Sequence, residues 1–408
     1  AIATEVNNAV EDVQVSLSGQ ASASMMTNST GSYSFNNLQQ GYDYTVTPRR
    51  NGDYLNGVST FDLVLMSKHI LGVQPLNSPY KMIAADVNNS KSITTLDLIQ
   101  LRKLILSIDT QMSNNTSWRF VKRSYVFPRP NNPWFEAFPE VVNINNLPGT
   151  GISNADFVAI KVGDVNLDAQ TNSLLGVQGR TMAGAFAFNV EDVEVKAGQE
   201  YTVAFTAADI ASIEGYQATL VFNNSALELV DIVEGEVKKE NFGLVYANEG
   251  LITTSWNQIA NSEQRNANTV MFSLVFRSKA DARLSGLLSV SSRITKAEAY
   301  RSNGDLLDVA IEFAGTTVAA ANNFELYQNT PNPFKGETLI GFNLPADGKV
   351  TVTISDVTGK VLKLVRLDGV MGYNNVVVNS NDLPAAGVLY YTVETAGHTA
   401  TKKMVIIE

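Results

Sequence analysis

The chain has 408 residues, more than one hydrophobic core serves, so about two to four domains are expected. With 44% hydrophobic and 17% charged residues it is ordered and globular, and its net charge of −10 disfavours nucleic acid and anionic membranes while suiting divalent cations. The lack of cysteine removes disulfides, thiolate nucleophiles and Cys-based zinc sites; two histidines leave little for histidine catalysis, and no run of about 18 apolar residues offers a spanning helix.

Residues 1–50 alternate apolar and polar in the bursts "VEDVQVSLSG", "TNSTGSYSFNNL" and "YDYTVTP", separated by Gly and Asn turns, which predicts three or more strands. The stretch "TGSYSFNNLQQGYDYTVTP" resembles the carboxypeptidase-regulatory-like β-sandwich, a family of spacers, and no chemistry is assigned to it. Ala1 falls at the start of the first predicted strand and is not Met, as expected either of a processed chain or of the C-terminal part of a longer one.

An internal repeat follows. "GVSTFDLVLMSKHIL" (57–71) aligns with "SITTLDLIQLRKLIL" (92–106), matching Thr60 with Thr95, Asp62 with Asp97, Leu63 with Leu98 and Lys68 with Lys103. Ile93, Leu96, Ile99 or Leu101, Leu104, Ile105 and Ile108 recur at helical spacing and are expected on one buried face. Each copy is then a polar loop leading into an amphipathic helix. A third partial copy, "ISNADFVAIKV" (152–162), aligns Asp156 with Asp62 and runs into "GDVNLDA".

The loop "ADVNNSKSITTLD" (85–97) places oxygen donors at alternate residues. Set on the EF-hand pattern, positions 1, 3, 5, 7, 9 and 12 are Asp86, Asn88, Ser90, Ser92 through its carbonyl, Thr94 and Asp97. A hard cation needs six to eight oxygens, and alternation delivers them inward; the expected occupant is Ca²⁺. Lys91 stands at the usual glycine position and Asp97 at the usual glutamate, so binding on the order of 10⁻⁴ to 10⁻³ M is expected. The first copy offers Asn51, Asp53, Gly57 through its carbonyl, Ser59 and Asp62, with Leu55 at a ligand position. Asp164, Asn166 and Asp168 form a further one-three-five triplet without a following helix; one hypothesis is that it lends a ligand to the incomplete first loop. The alternative for every loop is an Asx-rich turn in which Ser, Thr and Asp cap a helix without metal.

Duplicated units with Asp at position 12 and "DLIQLRKLIL" behind it resemble the type I dockerin over residues 51–110, with 152–168 as an extension. That resemblance implies calcium and a cohesin partner. Between the copies and the triplet, Trp118, Phe120, Tyr125, Phe127, Trp134, Phe135 and Phe138 lie among prolines, as a small core or a surface that stacks on glycans.

From Ala183 to Phe313 the chain returns to strands, "YTVAFTA", "GYQATLVFNNSALELVDI", "LITTSWNQ", "TVMFSLVFRS" and "LLDVAIEF", which predict one two-layer sandwich or jelly roll. "EGYQATLVFNNSALELVDI" resembles a cohesin; a generic immunoglobulin-like spacer is the alternative. After the link "GTTVAAANN", the motifs "QNTPNPF", "DVTGKV", "LPAAGVLYY" and "KKMVII" resemble, in order, the type A sorting domain of the type IX secretion system. Pro331 and Pro333 are expected to hold an extended entry segment, Gly359 a hairpin turn, and Val350, Val352 and Ile354 one buried side.

The expected fold class is therefore mainly β and multidomain: β-sandwich modules at 1–50, 181–315 and 322–408, plus an α-helical dockerin-like module with EF-hand loops at 51–170. These resemblances imply a non-enzymatic protein, secreted or on the outer surface of a Gram-negative bacterium. Its implied partners are cohesin- or dockerin-like modules of its own or neighbouring chains, a homo-oligomer included, the type IX machinery and surface glycans. The alternative is the carbohydrate-binding export tail of a larger polysaccharide-degrading enzyme.

Overall fold

The computed structural model describes residues 1–173, 182–258, 269–313, 324–329, 332–369, 372–383 and 387–407. The chain divides into two compact units, Ala1–Gly176 and Val177–Glu408.

The first unit is layered. One sheet holds β2 (Gln14–Gly19), β3 (Ala23–Met26), β4 (Tyr44–Arg49) and β6 (Val142–Ile144) in the order β3-β2-β4-β6. A second holds β1 (Ile2–Ala3), β5 (Trp118–Lys122) and β7 (Phe157–Lys161) in the order β1-β7-β5, with β1 parallel and β5 antiparallel to β7. Between them lies a core of Val13, Val15, Leu17, Tyr44, Val46, Trp118, Phe120 and Phe157. Three helices, α1 (Thr60–Ile70), α2 (Pro79–Ala85) and α3 (Thr95–Ile105), form a third layer; Leu63, Met66, Ile83, Leu101, Leu104 and Ile105 share a core with Val121, Ile160 and Val162.

The β-strands of residues 1–50 thus hydrogen-bond to strands that lie beyond residue 118, and the modules expected at 1–50 and 51–170 share cores. The third partial copy is the central strand β7, not a helix entry. Its run Phe157, Val158, Ala159, Ile160 and Lys161 is buried throughout, as a strand covered on both faces requires. On α3 the buried residues are Asp97, Leu101, Leu104 and Ile105, whereas Leu96, Ile99 and Ile108, expected inside, are exposed. The aromatic insert contributes Trp118, Phe120 and Phe127 to the cores, and Tyr80, Tyr125 and Phe138 pack around Phe127 at centroid separations of 5.0 to 5.8 Å.

In the second unit, among the described residues, ten strands between Ala185 and Phe313 form one hydrogen-bonded sheet, nine in series and a tenth, Leu288–Ser291, paired beside Ile213–Phe222, around a core of Phe186, Phe188, Phe205, Tyr216, Trp256, Phe272 and Leu274. The outer face of its central strands is polar yet buried: Glu298 sits directly across from Asp308, and Asp308 Oδ2 has no hydrogen-bond partner among the described residues. Burial, with the Glu298 carboxylate adding to it, pushes Asp308 up to about 6.

Residues 324–407 build two small sheets around Phe334, Phe342, Val350, Val352, Ile354 and Tyr391, with the three predicted side chains inside. Gly359, at φ 85°, makes the predicted turn. Pro331 lies outside the described residues, and the entry segment is tied down by the Tyr391 hydroxyl, which accepts from Asn329 N–H at 2.8 Å and donates to the Tyr327 carbonyl at 2.7 Å.

Candidate metal centres

Residues 86–97 form one closed turn. Asp86, fully buried, accepts the N–H of Ser90 at 2.7 Å and of Lys91 at 2.8 Å through its two oxygens. Asn88 Oδ1 accepts Ser90 N–H at 2.9 Å. Thr94 caps α3 and Asp97 accepts its N–H at 2.8 Å, completing a capping box. The other oxygen of Asp97 accepts Asn88 N–H at 3.1 Å, which draws the start of the loop onto the helix. Lys91 takes φ 65°, the left-handed turn that a glycine serves at this place in the loop.

The first copy is assembled differently. Ser59 caps α1, and Asp62 accepts its N–H at 2.9 Å, repeating Thr94 and Asp97. The other oxygen of Asp62 accepts Val165 N–H at 2.9 Å and Asn166 N–H at 3.3 Å, from a segment more than a hundred residues later. There Asp164 accepts Leu167 N–H at 2.7 Å, Asp168 N–H at 3.2 Å and Ala169 N–H at 2.9 Å, while Asn166 Oδ1 accepts Asp168 N–H at 3.3 Å. Asp164, Asn166, Asp168 and Ala169 repeat the bonds among Asp86, Asn88, Ser90 and Lys91, with one further N–H, that of Leu167, given to Asp164.

The two halves meet at Gly57. A β-carbon there would lie 2.6 Å from the Ala169 Cα and N, at φ 69°, so only glycine lets the strands touch. Beside it the Asn56 side chain pairs with the Gln170 backbone, accepting its N–H at 2.9 Å and donating to its carbonyl at 2.8 Å. Gly163, at φ 89°, brings the second half against α3, where a β-carbon would sit 2.7 Å from Leu101 Cδ1.

Asn51 and Asp53 stand elsewhere. The Asn51 side chain accepts Ser117 N–H and the Tyr54 hydroxyl, each at 2.9 Å, and Asp53 is exposed. The first loop's early positions come from Asp164, Asn166 and Asp168 instead, because β7 delivers them beside α1. The spacing suggests one ligand lent by this triplet to the first loop; that the whole acidic turn replaces Asn51 and Asp53 is not legible in it, although the tripeptide Asp-Val-Asn at both 86–88 and 164–166 is a signal.

Electrostatics suit a cation. Burial raises Asp62 and Asp164, and each buried carboxylate sits beside the other. Burial also raises Asp86, against the N–H donors of Lys91 and Ser90. Among the described residues, no three His, Cys, Asp or Glu side chains gather as a metal cluster, so a cation in either loop would need amide, hydroxyl and carbonyl oxygens as well as carboxylates. Such an all-oxygen set fits a hard cation of calcium type and offers nothing to a soft one. Neither histidine joins a site: His69 Nδ1 accepts Leu76 N–H at 3.3 Å, and His398 stacks on Phe324 at 5.2 Å.

Comparison with known proteins adds two domains. Residues 186–313 match the cohesin domain model, and residues 330–407 match the secretion system C-terminal sorting domain model. Among solved structures, a type I cohesin from Pseudobacteroides cellulosolvens is 18% identical with a TM-score of 0.24, over 32% of this chain and 88% of that one. A cohesin from Clostridium acetobutylicum is 12% identical with a TM-score of 0.24, over 33% and 94%, and a chain of a type I cohesin–dockerin complex from Clostridium thermocellum is 10% identical with a TM-score of 0.24, over 32% and 99%. No curated protein matches the chain. Among the described residues no helix is long and apolar enough to cross a membrane.

Proposed function

We propose that this chain is part of a non-enzymatic surface protein of a Gram-negative bacterium, exported by the type IX system, whose calcium-stabilised modules hold protein partners together. The observation that carries the reading is the presence of a cohesin domain and a secretion sorting domain on one chain, since both are non-catalytic and serve attachment and export.

The loop–helix repeat of residues 51–110, completed by 164–168, is the partner-binding half in this reading, similar to a dockerin. Its support is the agreement of hydrogen bonding at five positions of the two loops, Asp86 with Asp164, Asn88 with Asn166, Ser90 with Asp168, Thr94 with Ser59 and Asp97 with Asp62, and the exposed apolar side chains Leu96 and Ile99 on α3. The residues that hold Ca²⁺ are Asp86, Asn88, Ser90, Ser92, Thr94 and Asp97 in one site, and Asp164, Asn166, Asp168, Gly57, Ser59 and Asp62 in the other. The ion would supply positive charge to buried carboxylates and lock each turn. The cohesin domain and this repeat would join neighbouring copies.

Sedimentation of the whole chain in calcium and in chelator tests association. Calcium-dependent oligomers are expected, and a monomer of equal protease resistance in both buffers overturns the reading. Removing residues 330–407 is expected to abolish surface display in a type IX-competent host.

The glycan-binding export tail rests on Phe135, an exposed aromatic capped by the Arg129 guanidinium at 3.8 Å, next to half-buried Trp134. Quenching of tryptophan fluorescence by soluble glycans would favour it.

A further inference from the structure

Between the two halves of the split site lies a buried lysine. Lys161 ends β7, is 4% exposed, and its Nζ donates to the Tyr54 carbonyl at 2.9 Å and the Val162 carbonyl at 3.2 Å. One carbonyl lies three residues before Gly57 and the other two residues before Asp164, so a single ammonium ties the incoming strand of each half.

Burying an ammonium costs several kcal/mol unless charge and hydrogen bonds compensate it. The compensation is at hand. Burial pulls Lys161 down to about 8, against the carboxylates of Asp53, Asp164 and Asp62, and the ammonium in turn holds Asp164 down. Arg50 is a further cation within its field.

Among the described residues the contiguous site has no buried counterpart, since its own Lys91 is exposed. The cation nearest in effect to Asp86 is Arg119, whose guanidinium is already paired with both oxygens of Glu140, each at 2.8 Å, and with Asn89 Oδ1 at 2.7 Å. Its charge is answered within its own ion pair, whereas Lys161, among the described residues, donates only to the Tyr54 and Val162 carbonyls and lies in the field of Asp53 and of the split-site carboxylates Asp164 and Asp62.

We infer that Lys161 is a built-in counter-ion: it holds the split site together in the metal-free protein and, by repelling an incoming dication, makes that site the weaker of the two. This rests on the calcium reading above. A static positive charge favours the empty carboxylates and opposes the filled site, so its removal shifts both states in opposite directions. A lysine that merely packs would shift them together.

The test is calorimetric titration of the whole chain with calcium chloride, first as wild type and as Asp168→Asn, whose exposed carboxylate identifies the split site. Lys161→Met, Lys161→Gln and Lys161→Arg follow. Met and Gln are expected to unfold more readily in chelator, to bind calcium at the split site at least about tenfold more tightly, and to leave the contiguous site unchanged. Gln keeps a donor for the Tyr54 carbonyl should Met fail to fold without metal, and folding of either variant only on calcium addition carries the same meaning. Arg keeps the charge and should hold the split-site affinity within about threefold of wild type. Unchanged or weakened binding at the split site in both neutral variants overturns the inference, as does failure of both to fold with calcium present. Wild type that takes up no calcium overturns the calcium reading itself, before any Lys161 variant is measured.

Discussion

The loops at 86–97 and at 57–62 with 164–169 show one hydrogen-bond pattern built by two routes. In the first, the backbone runs unbroken from Asp86 to Asp97, and local turn preferences close it. In the second, closure is a tertiary event, since α1 supplies the cap and β7 supplies the acidic turn. The contiguous loop can form as soon as α3 forms. The split loop needs its two segments brought together, and the pairing of β7 with β1 and β5 holds them so, which sets the sheet against the chain-entropy cost. Identical local chemistry therefore sits at two levels of the folding hierarchy.

The sharpest way to break this comparison is Asp62→Ala. It strips acceptors from the N–H groups of Ser59, Val165 and Asn166, two of them tertiary, and is expected to destabilise the first unit by about 3 to 4 kcal/mol in urea unfolding. Asp97→Ala should cost about half as much, because its bonds to Thr94 and Asn88 are local. In calcium titration each substitution should remove one site of two, and an unchanged count in Asp164→Ala would disprove the split site.

Next in size is the contrast between carboxylates fed by N–H donors at both oxygens and one fed at a single oxygen, since among the described residues Asp308 accepts only Val309 N–H, at 3.0 Å. Asp308 in the cohesin domain has an ordinary unfolded pKa near 4 and a folded one raised to about 6 by burial and the facing Glu298. A raised acid is at its best protonated, so its contribution is present below about pH 4 and lost as pH climbs through 6. Asp308→Asn should erase that slope and stabilise the domain by about 2 to 3 kcal/mol at pH 7, read from thermal unfolding at pH 4 and 7. A slope that survives in the Asp308→Asn variant would reassign it to another group.

Gly57→Ala tests the join itself. Its β-carbon would strike Ala169, so about 2 kcal/mol of stability and the split site's calcium should go while the 86–97 site keeps its affinity. Asp53→Ala is the smallest expected change. An exposed side chain outside both hydrogen-bonded loops, it acts only through the field it exerts on Lys161, so stability should fall by no more than about 1 kcal/mol with both sites in place, and loss of a site would return Asp53 to the first loop.

Much of the architecture could be read from residue order. Alternation along Tyr44–Arg49 and Gly348–Asp356, the caps Ser59 and Thr94, and the buried Val350, Val352 and Ile354 follow from short-range periodicity. The exposed side of α3 was harder. Leu96, Ile99 and Ile108 share helical spacing with the core residues, and which arc faces inward depends on what packs there, here α1 and β7. Likewise "FVAIK" carries no mark distinguishing a strand covered on both sides from a buried helical turn.

By itself the sequence determined the loop–helix repeat, its oxygen donors, the sandwich strands and the sorting motifs, because each is written within a few residues of itself. Only the tertiary structure decided that Asp164, Asn166 and Asp168 complete the turn begun at Gly57, and that Lys161 lies buried between them. Two segments a hundred residues apart acquire a fixed relation only when a sheet joins them, and no local spacing encodes that distance.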